Sequence, residues 1–467
     1  MNTPLSSDPH RRSFLKGVLA TGALSAFSPN LLLAAPSGNK VRLACVGIGN
    51  RGADVVRELN KTGLAEIVAL CDTDMGAKHT EPILKMFPNV PRFQDFRKMF
   101  DKMGKDFDAV CIATPDFSHF PISMLAMSMG KSIYVEKPMA HSFYQIELMM
   151  AAEKKYKVAC QMGNQGHSDA NYFQFKSWTE AGIIKNVTKI TAFMNNQRRW
   201  HGLKVDGYLA EQPVPESLDW ESWLATAQQH AYNKGYMNGD WRSWFDFGNG
   251  ALGDWGAHIF DTAHEFLNLG LPTEVEPKLE GYNPLIFPQA STLAFRFPKR
   301  GELPPVELTW YDGQQNLPPL PADFGDAIVD PNIPPPTAGS AESKKQPPGK
   351  VIYGEDLVFK GGTHGSTLKI LGTKAKDMES RLPKVPRSPS NHAANFLKAV
   401  RGEEQCRSNF AVAGPLCQAM AIGIIAQRVN ATVKFDAASK QITNHKIANE
   451  LLKGVPPRKD WEQYYKL

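Results

Sequence analysis

One short run of glycines most constrains how this chain can fold. Gly47, Gly49 and Gly52 form a G-x-G-x-x-G pattern. An apolar run at residues 41–46 precedes it, and a stretch with helical apolar spacing at residues 53–61 follows it. Glycine permits a tight turn and a close approach of strand, turn and helix. The pattern therefore predicts a strand–turn–helix unit whose helix N-terminus can bind an anion such as phosphate.

Apolar runs and helical stretches keep alternating up to residue 163. Strands are predicted at residues 41–46, 66–71, 108–114, 132–136 and 158–163, and helices at residues 53–61, 75–87, 118–130 and 143–156. Alternation of this kind produces a parallel sheet with helices on both faces. We therefore expect an α/β protein whose residues 40–163 form a doubly wound Rossmann domain.

An acidic residue ends the second predicted strand. Asp72 stands where a carboxylate accepts hydrogen bonds from the adenosine ribose of a bound dinucleotide. Thr73 and Asp74 follow it, so no Arg or Lys stands there to meet a 2′-phosphate. The alternative, a plain turn with a capping Asp, is disfavoured by the complete strand–turn–helix context. The predicted cofactor is NAD, with NADP disfavoured.

Two more polar motifs follow predicted strands, at residues 113–119 and 135–138. The carboxyl ends of strands are where doubly wound sheets bind ligands. The residues predicted to bind the cofactor are Gly47, Gly49, Asn50, Arg51, Gly52, Asp72, Thr114, Pro115, Asp116, His119, Glu136 and Lys137.

The remainder of the chain has a different pattern. Residues 164–390 are predicted to form an α+β domain with an open, largely antiparallel sheet, in which residues 314–350 are a Pro-rich loop. A helix is predicted at residues 170–182, and strands at residues 188–195, 291–297, 306–311 and 366–371. Residues 391–467 are predicted to hold helices, one at residues 411–429, that pack back on both domains.

A short polar pattern in this second half is a candidate reaction centre. Asp254, His258 and Asp261 have i, i+4 and i+7 spacing, which places all three on one face of a single helix. They could form a metal site, a satisfied structural cluster or acid/base machinery. A metal is disfavoured because no further ligands stand nearby.

The glycine turn, the Thr-Pro-Asp-Phe-Ser-His run and the step Glu136-Lys137-Pro138 together resemble the glucose-fructose oxidoreductase, inositol dehydrogenase and MocA family (Gfo/Idh/MocA). The resemblance implies a Rossmann domain followed by a C-terminal α/β domain. It also implies that Lys137, Asp254 and His258 are the catalytic set. His258 would take the substrate hydroxyl proton, Lys137 would stabilise the alkoxide, and Asp254 would hold the substrate or the imidazole.

Amides, guanidinium groups and indole rings cluster near the predicted site and suit a polyhydroxylated ring. The residues predicted to bind substrate are Asn164, Gln165, His167, Arg199, Trp200, Trp241, Trp244 and Asp261. Core packing is the alternative for the tryptophans. The expected partner is a small carbohydrate, together with further copies of the chain in a homodimer or homotetramer.

The N-terminus predicts export. Arg11 and Arg12 precede a mildly apolar stretch at residues 17–33 and small residues at 34–35, the order of a twin-arginine signal over residues 1–35. An amphipathic helix or a membrane anchor is the alternative. Removal of the signal would lower the formal charge from +6 to +4. With no basic run interleaved with aromatics and no unbroken apolar run of about twenty residues, neither nucleic acid nor a membrane span is expected.

Six cysteines could mean three disulfides in an exported protein. Cys45, Cys71, Cys111 and Cys160 stand in apolar runs, where Cys behaves as a small hydrophobe. Pairing of Cys406 with Cys417 stays open, and no close Cys/His cluster suggests zinc.

Three functions are compatible with these features. The first is an exported NAD-dependent oxidoreductase that acts on a hydroxyl of a sugar, glycoside or cyclitol, with a tightly bound cofactor. The second is a glycoside hydrolase or lyase that uses bound NAD transiently. The third is a non-catalytic sugar-binding protein, in which Lys137, Asp254 and His258 would be idle.

Overall fold

The computed structural model of the chain describes residues 39–196, 203–325 and 348–467. The strands are β1 (Val41–Val46), β2 (Ala65–Cys71), β3 (Arg92–Phe93), β4 (Ala109–Ile112), β5 (Ser132–Val135), β6 (Cys160–Met162), β7 (Lys189–Met194), β8 (Glu274–Glu280), β9 (Ala290–Phe297), β10 (Val306–Asp312), β11 (Gly349–Tyr353), β12 (Val358–Gly361), β13 (Lys369–Ile370), β14 (Val433–Asp436) and β15 (Gln441–Ile442). The helices are α1 (Arg51–Lys61), α2 (Glu81–Met86), α3 (Phe96–Met103), α4 (His119–Ser128), α5 (Phe143–Tyr156), α6 (Ala170–Glu180), α7 (Trp220–Leu224), α8 (Gly250–Ile259), α9 (Asp261–Phe266), α10 (Lys374–Met378), α11 (His392–Val400), α12 (Phe410–Val429) and α13 (Lys446–Leu451).

The first sheet has six strands in the order β3-β2-β1-β4-β5-β6, and each neighbouring pair is parallel. This is the doubly wound Rossmann order, so the predicted fold of the first domain is confirmed. Strand β1 is almost wholly buried between β2 and β4. The strand order reverses beside β1, so a crevice opens at the carboxyl ends of β1 and β4.

The segment after β2 differs from its prediction. The expected helix at residues 75–87 shortens to α2, and β3 and α3 were not predicted. Asp74 forms a bridge with Leu218 of the second domain. The N–H of Asp219 also donates to the carbonyl of Thr73 at 2.8 Å. These contacts hold the start of the segment extended, which sequence periodicity alone does not reveal.

The second sheet has nine strands in the order β13-β12-β11-β7-β10-β9-β8-β14-β15. The β7–β10 pair is parallel and the other pairs are antiparallel, so the predicted open, largely antiparallel sheet is confirmed. The predicted Pro-rich loop extends too far, because β11 begins at Gly349. Residues 326–347 of that loop lie outside the described residues, as does the predicted signal at residues 1–35.

Helix α12 lies between the two domains. It packs against α5 of the first domain and against α8 and β8 of the second. Among the described residues it is the one helix long and apolar enough to cross a membrane, and 78% of its most apolar window is buried inside the protein. Its apolar character is therefore that of a core helix.

Helix α11 completes the core of the first domain. Phe396 and Leu397 of this helix are fully buried against residues of β1, α1 and β4. His392, at its start, lies 2.8 Å from the carbonyl oxygen of Met162 in β6 and 2.8 Å from the hydroxyl of Ser168. The chain therefore returns from the second domain to cover one face of the first sheet.

All six cysteines are free and buried, including Cys406 and Cys417. No disulfide contributes to the fold. The thiols pack as small hydrophobic groups.

Candidate active site

The glycine turn after β1 has no room for side chains. Gly47 has φ of +79°, and a Cβ there would lie 2.6 Å from the carbonyl oxygen of Ala113. A Cβ on Gly52 would lie 2.1 Å from the carbonyl oxygen of Gly47. A Cβ on Gly49 would lie 2.0 Å from Cδ2 of the His79 ring. The backbone therefore requires glycine at positions 47 and 52, and at position 49 a side chain would displace His79. The absence of side chains leaves the N-terminus of α1 open to a phosphate.

A cleft of about 570 Å³ opens above this turn, between the two domains. From the first domain it is lined by Gly47, Gly49, Asn50, Arg51, Asp72, Thr73, Asp74, His79, Gln94, Thr114, Pro115 and Ser118, among others. From the second domain it is lined by Ser222, Trp223, Ala225, Met237, Asn238, Gly239, Trp241 and Arg242. A ligand in the cleft would touch both domains.

Asp72 is fixed at the far end of the cleft. Its two carboxylate oxygens accept hydrogen bonds from the backbone N–H groups of Ile48, at 2.9 Å, and Asp74, at 3.1 Å. Burial raises the pKa of Asp72, while these two donors and His79 favour its charged form. The carboxylate is oriented to accept hydroxyl groups and to repel a phosphate.

The second domain covers this end through a contact that the sequence did not predict. The side-chain amide of Gln94 donates to the carbonyls of Thr73, at 3.1 Å, and Ser217, at 2.7 Å. Gln94 thus joins the two domains at the wall of the cleft.

Arg51 and Glu136 form an ion pair across the mouth of the turn. Arg51 Nε lies 3.1 Å from Glu136 Oε1, and its Nη1 lies 3.0 Å from Glu58 Oε1. A Cβ on Gly163 would lie 2.7 Å from the same Glu136 oxygen, so Glu136 fills the space above that glycine. The side-chain amide of Gln165 donates to the carbonyl of Gly163, and its oxygen accepts a hydrogen bond from Arg51.

Five of the predicted cofactor residues do not line the cleft: Gly52, Asp116, His119, Glu136 and Lys137. His119 is fully buried, with its ring nitrogens 2.8 Å from the carbonyl oxygens of Pro138 and Thr114. Burial lowers its pKa to about 4, although both carbonyls favour protonation. The prediction of cofactor contact is therefore corrected: His119 ties two loops together.

Asp116 instead faces the second domain. Its carboxylate accepts a hydrogen bond from the N–H of Asn249, the residue before α8, at 3.0 Å. Burial raises the pKa of Asp116 to about 7, against the charges of Arg242 and Lys137. Its position, too, corrects the predicted cofactor contact.

Lys137 and Asp254 meet beside Arg242, a residue of the cleft wall. The ammonium of Lys137 forms an ion pair with the carboxylate of Asp254 and donates to its backbone carbonyl at 3.0 Å. Their side chains are 13% and 15% exposed, so the pair is shielded yet reachable. Arg242 Nε lies 3.9 Å from the same carboxylate. The β5 end of the first domain and α8 of the second thus bring together two of the predicted catalytic residues.

His258 lies one turn further along α8. Its imidazole stacks on that of His364, with ring centroids 4.0 Å apart and planes inclined by 20°. Its Nδ1 is buried with no hydrogen-bond partner among the described residues. Burial lowers the pKa of His258 well below its usual value, and the positive charge of Lys137 adds to this effect. His258 is therefore neutral near pH 7 and able to accept a proton.

Asp261 is not on the same helix as Asp254 and His258, which corrects the prediction of one continuous face. Helix α8 ends at Ile259, and α9 begins at Asp261. The carbonyl of His258 accepts from the N–H of His364 at 2.9 Å, and the Asp261 carboxylate accepts from the N–H of Thr262 at 2.7 Å. These bonds replace the helical pairing and break the helix.

Asp261 belongs to a buried network that includes two other predicted substrate residues. Its Oδ2 lies 3.2 Å from Nδ1 of His167 and 3.4 Å from the amide of Asn164. His167 Nε2 lies 2.6 Å from Glu265. Burial opposes the charge on His167, but the two carboxylates prevail and raise its pKa to about 9. Since Asn164, His167 and Asp261 are at most 2% exposed, they brace the site rather than contact a substrate.

The predicted aromatic residues separate in the structure. Trp241 lines the cleft, and the guanidinium of Arg242 lies 4.1 Å from its ring centroid. Trp244 is fully buried in an aromatic core beside Tyr236, so its predicted substrate contact is wrong. Arg199 and Trp200 lie outside the described residues.

The comparisons with known proteins agree with this geometry. Residues 41–164 match the family described as "Oxidoreductase family, NAD-binding Rossmann fold". Residues 176–279 and 351–463 match "Oxidoreductase family, C-terminal alpha/beta domain". Together they span more than half of the chain. The chain belongs to the Gfo/Idh/MocA family.

Curated Gfo/Idh/MocA relatives match the chain over part of its length. A protein named glycosyl hydrolase family 109 protein 2, from Shewanella sp. (strain ANA-3), is 29% identical over 42% of this chain and 48% of its own length. An inositol 2-dehydrogenase from Salmonella typhimurium is 26% identical over 38% of this chain and 51% of its own length. The chain thus spans about half the length of the curated relatives it matches.

Solved structures share the fold. The WlbA dehydrogenase from Bordetella pertussis, crystallised with NADH and UDP-GlcNAcA, is 14% identical, with a TM-score of 0.58 over 85% of this chain and 99% of its own. An NAD-binding protein from Listeria innocua is 15% identical, with a TM-score of 0.55 over 85% of this chain and 97% of its own. At these identities the likeness concerns the fold alone.

The Gfo/Idh/MocA chain has the features that NAD requires. Gly47 and Gly52 admit the backbone approach of a pyrophosphate, and Asp72 can accept the adenosine ribose hydroxyls. The cleft is lined by both Asp72 and Arg242, and Arg242 lies 3.9 Å from the carboxylate that pairs with Lys137. NAD is the cofactor of this family fold, and these residues fit it.

Sequence reasoning missed two contributors to this Gfo/Idh/MocA site. Gln94 faces the cleft, and His364 stacks on His258. Gln94 gave no signal in the sequence. His364 had a weak one, the run Gly361-Gly362-Thr363-His364-Gly365, whose glycines indicate a tight loop.

Proposed function

We propose that the protein is an exported, NAD-dependent oxidoreductase that oxidises or re-forms a hydroxyl of a sugar, glycoside or cyclitol. The observation that carries the proposal is the meeting of Lys137 with Asp254 on α8, the helix of His258, beside Arg242 of the cleft wall. The family supports the redox class, and the carbohydrate substrate and the export are parts of the proposal.

The side chains suit oxidation of a carbinol. Bound NAD would accept hydride from the carbinol carbon. His258, neutral because of burial and the nearby Lys137 charge, accepts the hydroxyl proton. The ammonium of Lys137 stabilises the negative charge that develops on the oxygen, and Asp254 fixes that ammonium.

A carbohydrate substrate is supported by chemistry and by relatives. Trp241 and Arg242 both line the cleft wall, and an indole and a guanidinium are groups that suit a polyhydroxylated ligand. Matched relatives carry the names inositol 2-dehydrogenase and glycosyl hydrolase family 109 protein. A tightly held cofactor would suit an exported enzyme, because free nicotinamide nucleotides are scarce outside the cytoplasm.

The test begins with the purified full chain. Mass spectrometry of small molecules released on denaturation should detect NAD, and added carbohydrates should change the nicotinamide absorbance of the holoprotein. His258→Ala should abolish that change while retaining the nucleotide. No bound or bindable dinucleotide, or a His258→Ala variant with full turnover, would overturn the proposal.

Glycoside cleavage assisted by transient oxidation is the second candidate. The supporting observation is the match to proteins named glycosyl hydrolase family 109, at 29% identity over the matched residues. Release of phenol from aryl glycosides without added cofactor would favour this candidate. If no phenol is released but the nicotinamide absorbance changes, the result would favour net oxidation.

Export is proposed from Arg11 and Arg12. Replacement of both by lysine should retain the full-length precursor inside the cell, whereas the parent protein should be found shortened outside the cytoplasm. An unchanged distribution would overturn the export proposal.

A homodimer or homotetramer is proposed as well. The support is the extent of the nine-stranded sheet, whose outer face carries Arg296 between Glu274 and Glu276. Light scattering of the holoprotein should give two or four chains per particle, and a monomer at all concentrations would contradict this.

A further inference from the structure

A loop remote in sequence places a second imidazole in the active site. His364 lies on the loop between β12 and β13, and its ring stacks on that of His258. The ring of Trp255 stands edge-on to both imidazoles, with centroid distances of 6.3 Å to His258 and 5.8 Å to His364. The mechanism proposed above uses His258 and leaves His364 without a role.

The loop is fastened to the helix that carries His258. The N–H of His364 and the hydroxyl of Thr363 both donate to the carbonyl of His258, at 2.9 Å and 3.3 Å. On its other side, a Cβ on Gly166 would lie 2.5 Å from the carbonyl oxygen of His364. The ring of His364 therefore cannot drift relative to that of His258.

The backbone of His364 supports a functional reading. Its φ of +51° lies in the left-handed region, which residues other than glycine adopt uncommonly, although histidine does so more often than most. Glycines flank the loop on both sides, at Gly362 and Gly365, yet position 364 itself holds an imidazole. Strained residues of this kind concentrate at sites that bind ligands.

The hydrogen-bonding capacity of the two rings is largely uncommitted. Nδ1 of His258 is buried without a partner among the described residues. Nδ1 of His364 lies 3.1 Å from the hydroxyl of Thr363, which leaves its Nε2 for a ligand. His364 is also within electrostatic reach of Lys137 and Asp254, so it belongs to the same site.

We propose that His364 binds a second oxygen of the substrate, on the ring carbon next to the one that is oxidised, while His258 takes the hydroxyl proton. Two nearly parallel rings 4.0 Å apart can each bond one of two oxygens on neighbouring carbons, which stand roughly a hydrogen-bond length, about 3 Å, from each other. The substrate class is thus a cyclic vicinal diol, or a diol with one oxygen alkylated. This inference rests on the proposed oxidoreductase function.

The test compares substrates that differ by one oxygen. Wild-type holoprotein is assayed with methyl β-glucopyranoside, its 2-deoxy, 3-deoxy and 4-deoxy analogues and myo-inositol, by the change in nicotinamide absorbance. His364→Phe retains a ring that can stack on His258 and Trp255 but has no nitrogen. His445→Asn, at the N-cap of α13, is the matched control. Cofactor content and melting temperature establish that each variant is folded.

The wild type should prefer a parent compound over one deoxy analogue by about 10-fold to 100-fold in kcat/KM, as expected when one buried hydrogen-bonding group loses its partner. His364→Phe should raise KM for the parent compound by a similar factor and lower kcat by less. The ratio of kcat/KM between the parent compound and that deoxy analogue should fall to about 1. A folded His364→Phe variant that keeps the wild-type preference would overturn this inference and leave the oxidoreductase function standing. A wild type that oxidises no carbohydrate would overturn both.

Discussion

At the scale of single residues, the Lys137–Asp254 ion pair has the most direct consequence for activity. In the proposed reaction the ammonium would meet the negative charge that develops on the substrate oxygen, and its side chain is only 13% exposed. Loss of one such donor lowers kcat by about 10²-fold to 10³-fold. We expect this loss for Lys137→Met, with the NAD dissociation constant nearly unchanged, in steady-state assays and nucleotide titrations.

The exposed Lys102→Met on α3 is the control and should keep the activity of the parent. A Lys137→Met variant that retains more than about a tenth of kcat would show that the ammonium does not meet the transition state.

The pH profile should report on His258. The imidazole must be neutral to accept a proton, and burial together with Lys137 lowers its pKa below the usual 6.5. The value of kcat/KM should therefore stay level from about pH 8 down to about pH 6.5 and fall only in more acid solution. An acid limb centred above the usual histidine pKa would contradict this assignment.

His167 links pH to stability rather than to activity. Its pKa rises from 6.5 to about 9 in the folded protein because Asp261 and Glu265 surround it. A raised folded pKa stabilises the protein fully below pH 6.5, and this contribution, about 3 kcal/mol, is lost as the pH rises through about 9.

Urea unfolding of the parent should therefore show a loss of unfolding free energy over this interval. The His167→Gln variant should show a smaller loss over the same interval, although it is less stable throughout. Parallel pH dependences for parent and variant would refute a charged His167.

At the scale of elements, the turn between β1 and α1 is the least tolerant of an added side chain. A Cβ on Gly52 would lie 2.1 Å from the carbonyl oxygen of Gly47, so Gly52→Ala must displace the turn or the helix. We expect a loss of about 2–4 kcal/mol in unfolding free energy and at least a tenfold weaker NAD affinity, as one helix N-terminus moves away from the phosphate.

Gly207→Ala is the control, because nothing lies within 4 Å of the Cβ it would add. Calorimetry measures the unfolding free energy of both variants, and nucleotide titration measures their NAD affinity. Equal NAD affinity of Gly52→Ala and the parent would mean that the phosphate does not bind at this turn.

Elements of the first domain could be predicted because their strands are buried on both faces and read as continuous apolar runs. The second sheet was harder: β8 carries the sequence Glu-Val-Glu-Pro-Lys-Leu-Glu, whose charges and proline hide a half-exposed strand. Lys137 and Asp254 were found from local motifs. His364 was not, because its contact with His258 depends on the long-range packing of β11, β12 and the loop beyond.

At the scale of the whole molecule, the cleft has one wall from each domain. A dinucleotide in it would join them, and binding to the folded state alone stabilises by about 2.7 kcal/mol at 100 times the dissociation constant. NAD should raise the melting temperature more than NADP does, because Asp72 and Asp74 repel a 2′-phosphate.

Differential scanning fluorimetry of nucleotide-stripped protein tests this preference. Asp72→Ser should reduce the difference between the melting-temperature increases that NAD and NADP produce. A larger shift with NADP than with NAD would contradict the assignment of Asp72.

The position of α11 has a consequence for biosynthesis. Phe396 and Leu397 fill the core under β1 and α1, yet a ribosome makes them long after the glycine turn has emerged. The dinucleotide-binding domain therefore cannot reach its final packing during its own synthesis, and it must wait for the chain beyond residue 400. The core of the first domain is thus completed only after strands β7 to β13 of the second domain have been made.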